Sequence, residues 1–242
     1  FPFLPVGLFK TLELCSVPPG EVARVVTSSG TSGQVPSKIY LDGPTADGQR
    51  RALAAIVSDF IGPDRLPMLV IDCPSVLRGG RFTARAAGVA GFASFGRGRT
   101  WALGDDMRPG LDAVSAFLET YGGKPFLLFG FTFLVWQFFE ALAASGRAWD
   151  FQNGVLIHGG GWKTLADRAV GPEEFRRRLA EGFGLRRVHD YYGMAEQTGS
   201  IFMACERGHL HVSAFSDLFV RRASDFSLCE TGEEGILQVQ SI

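Results

Sequence analysis

Between residues 66 and 189, short apolar runs alternate with stretches of helical period. Residues 66–71, 126–129, 154–158 and 185–189 read as strands, because each is a compact apolar run bounded by turn residues. Residues 82–95, 111–121, 133–144 and 172–183 read as helices. Gly122-Gly123 ends one of these and Pro172 opens another. Strands that alternate with helices predict an α/β fold, a mostly parallel sheet covered by helices. Ligands in such sheets bind beyond the carboxyl ends of the strands. Ahead of this region, residues 2–10 read as an extended arm, 22–26 and 38–41 as strands, and 45–61 as a helix with Leu53, Ile56, Val57 and Phe60 on one side. Residues 232–242 read as a turn and a strand. A hydrophobic content of 46% over 242 residues is enough for a large core in one domain or two lobes.

Thr27-Ser28-Ser29-Gly30-Thr31-Ser32-Gly33 lies between the first two predicted strands. Its hydroxyls and backbone N–H groups are donors for anionic oxygens, and its glycines let backbone approach a ligand closely. A Ser/Gly linker has the same composition, but linkers rarely sit between two strand-like runs. The loop is not a Walker loop. Two residues rather than four separate Gly30 from Gly33, and the next lysine is Lys38, beyond Pro36. A donor-rich loop of this kind suits a nucleotide triphosphate in a different reaction.

Two segments at strand ends complement the loop. Gly159, Gly160 and Gly161 follow a predicted strand, where backbone can approach a flat ligand without a Cβ clash, although a simple strand-to-helix turn reads the same way. Asp190-Tyr191-Tyr192-Gly193-Met194-Ala195-Glu196 ends another strand. It offers an aromatic face, a tight turn and a carboxylate. Mg²⁺ takes few protein carboxylates and completes its shell with phosphates and water. As plain structure, the tyrosines would be core and Glu196 a helix-start charge.

Together the loop and this segment resemble the adenylate-forming superfamily of acyl ligases. Further wording narrows the resemblance: Phe3-Leu4-Pro5-Val6, Gln34-Val35-Pro36-Ser37-Lys38, Arg85-Ala86-Ala87-Gly88, Phe129-Gly130-Phe131-Thr132 and His158-Gly159-Gly160-Gly161-Trp162-Lys163. Over essentially the whole chain, it is similar to the acyl-protein synthetase family. That family includes the fatty-acid-activating subunit of the bacterial luminescence reductase complex and lies close to the phenylacetate–coenzyme A ligases. The resemblance implies ATP-dependent conversion of a carboxylic acid, a fatty acid first among candidates, to acyl-AMP and pyrophosphate. Transfer to a thiol follows: a protein cysteine, or coenzyme A for an aryl or short-acyl ligase. A non-catalytic adenylation-like domain that binds a partner is the third reading. Retention of Ser29, Thr31 and Glu196 argues against it.

By residue, the resemblance implies that the 27–33 loop closes over the β- and γ-phosphates, with Thr31 and Glu196 in catalytic roles. Glu196 would bind Mg²⁺. Gly159, Gly160, Gly161, Asp190, Tyr191, Tyr192, Gly193 and Met194 would complete the ATP site. Asp190 would accept from the adenine amino group, and an aromatic ring would stack on adenine. Ala195 stands where many relatives carry a hydroxyl. Phe131, His158 and Trp162 could line an acyl pocket, though all three would serve as core. Cys205 and His211, with His209, offer zinc-compatible atoms but cannot close a site on one short strand. Arg176, Arg177 and Arg178 follow Phe175 and read as a solvated face.

A formal net charge of −1 gives no bulk electrostatic case for nucleic acid. No apolar run approaches the ~20 residues of a membrane span. Four cysteines without a CxxC pair fit free thiols in the cytoplasm. The resemblance leaves open a homodimer or a complex with an acyl reductase. Superfamily members continue to a ribose-binding aspartate, a hinge and a small C-terminal domain with a catalytic lysine. None is found here, and Phe1 is not an initiator. The expectation is therefore a single adenylation large domain over residues 1–242, truncated at both ends.

Overall fold

The computed structural model describes residues 3–28, 35–78, 84–197 and 201–241. Its elements run α1 (Leu8–Thr11), β1 (Arg24–Thr27), β2 (Lys38–Leu41), α2 (Gly43–Ile61), β3 (Leu66–Ile71), α3 (Ala84–Phe92), β4 (Gly96–Trp101), α4 (Leu111–Tyr121), β5 (Phe126–Phe131), α5 (Thr132–Ala144), β6 (Gly154–Gly159), α6 (Pro172–Phe183), β7 (Arg187–Tyr192), β8 (Phe202–Ala204), β9 (Leu210–His211), β10 (Ser216–Arg221) and β11 (Ile236–Ser241). The fold is α/β with a mostly parallel sheet flanked by helices, as the alternation of apolar runs predicts. The arm at residues 2–10 differs from expectation at its end, where residues 8–11 turn into the short helix α1.

Two compact units divide the chain. One comprises Ser58–Tyr192 and Met203–Leu210; the other comprises Phe1–Val57, Gly193–Phe202 and His211–Ile242. The first unit holds the seven-stranded sheet, ordered β4-β3-β5-β6-β7-β8-β9, whose far strands β8 and β9 cross the unit boundary. β3 pairs parallel to β4 and β5, β5 to β6, and β6 to β7. Parallel strands covered on both faces are continuously apolar, and β5 shows why: Phe126, Leu127, Leu128 and Phe129 are all fully buried. Each such side chain stabilises the fold by roughly 1.5–3 kcal/mol relative to exposure.

Side chains on alternate residues face opposite ways. Leu69, Ile71, Leu128, Leu156 and Val188 share a buried cluster with α4, α5 and α6. On the opposite face Phe129 stacks on Phe92 of α3 at 4.3 Å between ring centroids. Helix α6 illustrates how sequence sets a boundary. Pro172 opens it, Glu173 and Glu174 occupy its positive end, and Gly184 closes it at φ 69°. Phe175, Leu179 and Phe183 form its buried stripe.

In the second unit, β1 and β2 pair antiparallel with Thr27 opposite Lys38. Helix α2 starts two residues before the expected Thr45, and the Thr45 N–H donates to Asp42 Oδ1 at 2.8 Å. β10 and β11 form a second antiparallel pair. Among the described residues, no helix is long and apolar enough to cross a membrane.

Candidate functional site

Three strands of the parallel sheet deliver the site's side chains. β5 ends at Phe131, and Thr132 opens α5 directly behind it. β6 ends at His158 and Gly159, and β7 at Asp190, Tyr191 and Tyr192. The register places His158 beside Asp190 and Gly159 beside Tyr191. His158 and Asp190 therefore share the α5/α6 face with Val188, and the alternation puts Tyr192 on that face too. Tyr191 points the other way, its ring 5.0 Å from Phe92 of α3.

On the α5/α6 face a small pocket of about 100 Å³ gathers Thr132, His158, Trp162, Phe175, Arg176 and Asp190. His158 and Thr132 are each 6% exposed. Thr132 Oγ1 lies 3.0 Å from His158 Nδ1, so the two share a hydrogen bond whose direction depends on the tautomer. Asp190 Oδ1 is 3.8 Å from the same nitrogen. Burial, then the nearby His189 and Arg176, push His158 down to about 3, so the ring is neutral at neutral pH. It is a hydrogen-bonding group there, not the cation of an ion pair. Asp190 keeps half its side chain exposed, yet the pocket walls strip enough water to push it up to about 6, against one backbone N–H that stabilises the carboxylate. Burial first, then Asp190, pushes Tyr191 up to about 12.

The glycine run divides into three different requirements. A Cβ on Gly159 would lie 2.5 Å from Tyr191 Cε1 and 2.7 Å from the Tyr191 carbonyl oxygen. Gly160 has φ +79°, a conformation that favours glycine, and a Cβ there would meet Phe131 at 3.1 Å. Nothing lies within 4 Å of a Cβ on Gly161. Only Gly161 has the open flank expected for close approach of a ligand.

The expected acyl-pocket residues do not form one wall. Gly130 is the β5 partner of His158, and Phe131 is the partner of Gly159, so Phe131 and His158 point to opposite faces. Phe131 packs toward α3, where a Cβ on Gly88 would lie 2.9 Å from its ring. His158 and Trp162 line the small pocket on the other face. The solvated-arginine reading holds for Arg177 and Arg178, which pair with Glu174. Arg176 departs from it: the side chain lines the small pocket and reaches the turn after β8, with Nη2 3.4 Å from the Arg207 carbonyl. Thr132 and Arg176 are polar pocket residues that are not among the candidates the sequence suggests. The signals for Thr132 are its place just past a strand end and its part in the Phe129-Gly130-Phe131-Thr132 wording. For Arg176 the signal is adjacency to the buried stripe of α6.

At the carboxyl end of β3, Asp72 is fully buried and Arg85 of α3 grips it with both Nε, at 2.7 Å, and Nη2. This pair fixes α3 against the sheet.

The remaining residues expected at the nucleotide belong to the other unit. Thr27 ends β1, and the Ser37 N–H donates to Ser28 Oγ at 2.9 Å while the Ser28 N–H donates to the Ser37 carbonyl at 3.1 Å. The β1–β2 connection is thus clamped at its base. Ser29, Gly30, Thr31, Ser32 and Gly33 lie outside the described residues. Gly193, Met194 and Glu196 follow Tyr192 across the unit boundary, in a turn closed by the Gln197 N–H on the Met194 carbonyl at 3.1 Å. Glu196 is partly exposed, and one accessible carboxylate fits the sparse protein ligation of Mg²⁺. Among the described residues no three His, Cys, Asp or Glu side chains converge as a metal site. Cys205 is partly exposed, its N–H bonded to the His209 carbonyl at 3.0 Å, and His211 is exposed.

The family model for acyl-protein synthetase, LuxE, matches residues 1–241. No curated protein sequence matches. Among solved structures, ATP-bound MatB from Rhodopseudomonas palustris is 17% identical with a TM-score of 0.60, covering 94% of this chain and 41% of that one. A long-chain-fatty-acid–CoA ligase, FadD1, from Archaeoglobus fulgidus is 16% identical at TM-score 0.60, with 93% and 43% covered. The luciferase-like enzyme of the nonluminescent mealworm Zophobas morio is 18% identical at TM-score 0.59, with 98% and 52% covered. These likenesses show the fold, and the chain spans about half or less of each structure's length.

Proposed function

Because the chain belongs to the acyl-protein synthetase family, we propose that it is the nucleotide-binding part of an ATP-dependent, AMP-forming acid–thiol ligase. A carboxylate oxygen of the acid attacks the α-phosphorus of ATP, and pyrophosphate leaves. The thiolate of an acceptor then attacks the acyl carbon, forming a thioester and releasing AMP. A fatty acid is the proposed substrate and a protein cysteine the proposed acceptor. Coenzyme A is the second reading for the acceptor, favoured by the likeness to the Archaeoglobus long-chain-fatty-acid–CoA ligase.

The observation that carries this reading is that Asp190 and Tyr192 share one face at the carboxyl end of β7, while the open backbone of Gly161 follows two residues after the end of the neighbouring β6. In the proposed roles, Asp190 accepts from the adenine amino group and Tyr192, 43% exposed, offers its ring for stacking. Thr27 to Gly33 would donate to the phosphates, with Thr31 in a catalytic role. Glu196 would hold Mg²⁺, which offsets phosphate charge when bound. Neutral His158, bonded to Thr132, adds no charge to the pocket that Asp190 shares with Arg176.

Mass spectrometry of the whole protein with ATP, Mg²⁺ and a panel of acids tests this, because acyl-AMP, acyl-protein and acyl-coenzyme A have different masses. Acyl-AMP that appears with a fatty acid and disappears in Glu196→Gln supports the reading. Absence of acyl-AMP with every acid, from protein that is folded, would overturn it.

A further inference from the structure

A second cavity of the sheet-bearing unit lies along α5 and α6. It is a groove of about 680 Å³ between α5 and α6, walled by Trp136, Phe139, Trp149, Leu179 and Phe183. That volume lies within the range of small-molecule sites, ~300–1,000 Å³.

Two features narrow what it would take. First, the charges on its rim already have partners outside the groove. Arg168 holds Glu140, Asp112 holds Arg147, Glu174 holds Arg178 and Arg177 holds Glu181. A highly charged ligand would have to break these pairs, whereas an apolar body leaves them intact. Second, the wall contains one unspent donor. Trp149 Nε1 donates to the Leu142 carbonyl at 3.2 Å and to Ser145 Oγ at 3.0 Å. Trp136 Nε1 is buried with no acceptor, although the residue is only 4% exposed. Buried polar groups are nearly always paired, so an orphan in a cavity wall points to a missing acceptor. Arg178 lies over the Trp136 ring at 5.1 Å, so an acceptor there would also meet a cation. That N–H has no accessible surface in the structure, so a ligand oxygen meets it only once the indole or Arg178 moves.

We infer that the α5/α6 groove binds an aliphatic chain that ends in a hydrogen-bond-accepting head, the chemistry of a fatty acyl amphiphile. The choice of a fatty acyl chain rests on the function proposed above; the apolar wall and its orphan donor do not. The groove also communicates with the small polar pocket through shared rings. Trp136 packs on Trp162 at 5.3 Å and on Phe175 at 5.7 Å, and both of those line the pocket that holds His158 and Asp190.

Tryptophan emission reads the groove directly, because Trp136 and Trp149 line it and Trp162 touches it. The whole protein is titrated with octanoate, decanoate and dodecanoate below their micelle concentrations and without ATP. Saturable emission changes are expected, with affinity rising about tenfold per two methylenes buried. Ala143→Glu and Ala148→Glu place a charge in the groove from exposed positions and should weaken binding at least about tenfold with melting unchanged. Trp136→Phe should weaken binding while preserving the chain-length trend. No emission change with any acid, or equal binding by both glutamate variants, overturns the proposal. Acyl-AMP formation is scored separately, so loss of the enzymatic reading and loss of the groove site give different results.

Discussion

Replacing Gly159 by alanine tests whether the end of β7 is held in place by a missing side chain. The new Cβ would lie 2.5 Å from Tyr191 Cε1 and 2.6 Å from Cδ1. Turning the tyrosine ring does not solve the problem, because the Tyr191 carbonyl oxygen is 2.7 Å away. The ring is also confined by Phe92 at 5.0 Å and Phe129 at 6.3 Å. Strands β6 and β7 must part where Gly159 and Tyr191 are paired. Overpacking of this kind costs about 1–3 kcal/mol. At roughly 2–4 °C per kcal/mol for a chain of this length, the melting temperature should fall by about 2–12 °C. Because Asp190 and Tyr192 flank the displaced residue, ATP affinity measured by calorimetry should fall with it. Gly161→Ala is the control: nothing lies within 4 Å of its Cβ, so stability should not change. Gly159→Ala that melts within a degree of wild type, or Gly161→Ala that melts equally low, would refute the steric argument.

Arg85→Ala should cost about 3–5 kcal/mol in urea unfolding, since it strands the fully buried Asp72 carboxylate; a loss under about 1 kcal/mol would show that water reaches Asp72. Asp190 and His158 should act oppositely on stability with pH. Folded Asp190 keeps its proton up to about 6 against 3.8 unfolded, so its stabilising share is lost as pH rises through that window. Folded His158 refuses a proton down to about 3 against 6.5 unfolded, so its share is lost as pH falls below 6.5. Asp190→Asn should therefore be more stable than wild type near neutral pH, with the advantage gone near pH 4, as read by melting across pH. Tyr192→Ala should weaken ATP binding by about 1–3 kcal/mol, a magnitude borrowed from base–aromatic stacking, with little change in melting; unchanged affinity by calorimetry would exclude a stacking role.

Long apolar runs were legible because a strand buried on both faces needs them: 126–129 and 154–158 emerged as β5 and β6 with ends shifted by one or two residues. The β7 strand starts two residues later than expected, at Arg187, and runs on through Tyr192. β4 was invisible because Gly-Arg-Gly-Arg-Thr-Trp offers no apolar run; its strand character comes from pairing with β3, a tertiary effect. β10 was missed because Ser-Asp-Leu-Phe-Val-Arg depends on β11 for its partner. The motif points to Asp190 and Tyr192, and strand alternation puts both on the α5/α6 face. The separation of Phe131 from His158 could not be read from the sequence, since it depends on which β6 residue stands opposite Gly130. Arg176 escaped for the same kind of reason: whether an arginine beside a buried stripe reaches solvent or a pocket depends on the neighbouring turn, not on its own helix.

The place of β4 in the strand order has a consequence for solubility. It closes one end of the seven-stranded sheet, so one side of its backbone has no strand of that sheet beside it. Such a border can recruit a foreign strand from another molecule. Arg97 and Arg99 are exposed there, and between them Gly98 bends the chain at φ +58°. Like charges brought together and a backbone that departs from extended geometry both discourage a second molecule from lining up. The Gly-Arg-Gly-Arg stretch that lacks an apolar run is thus also one that disfavours edge-to-edge pairing.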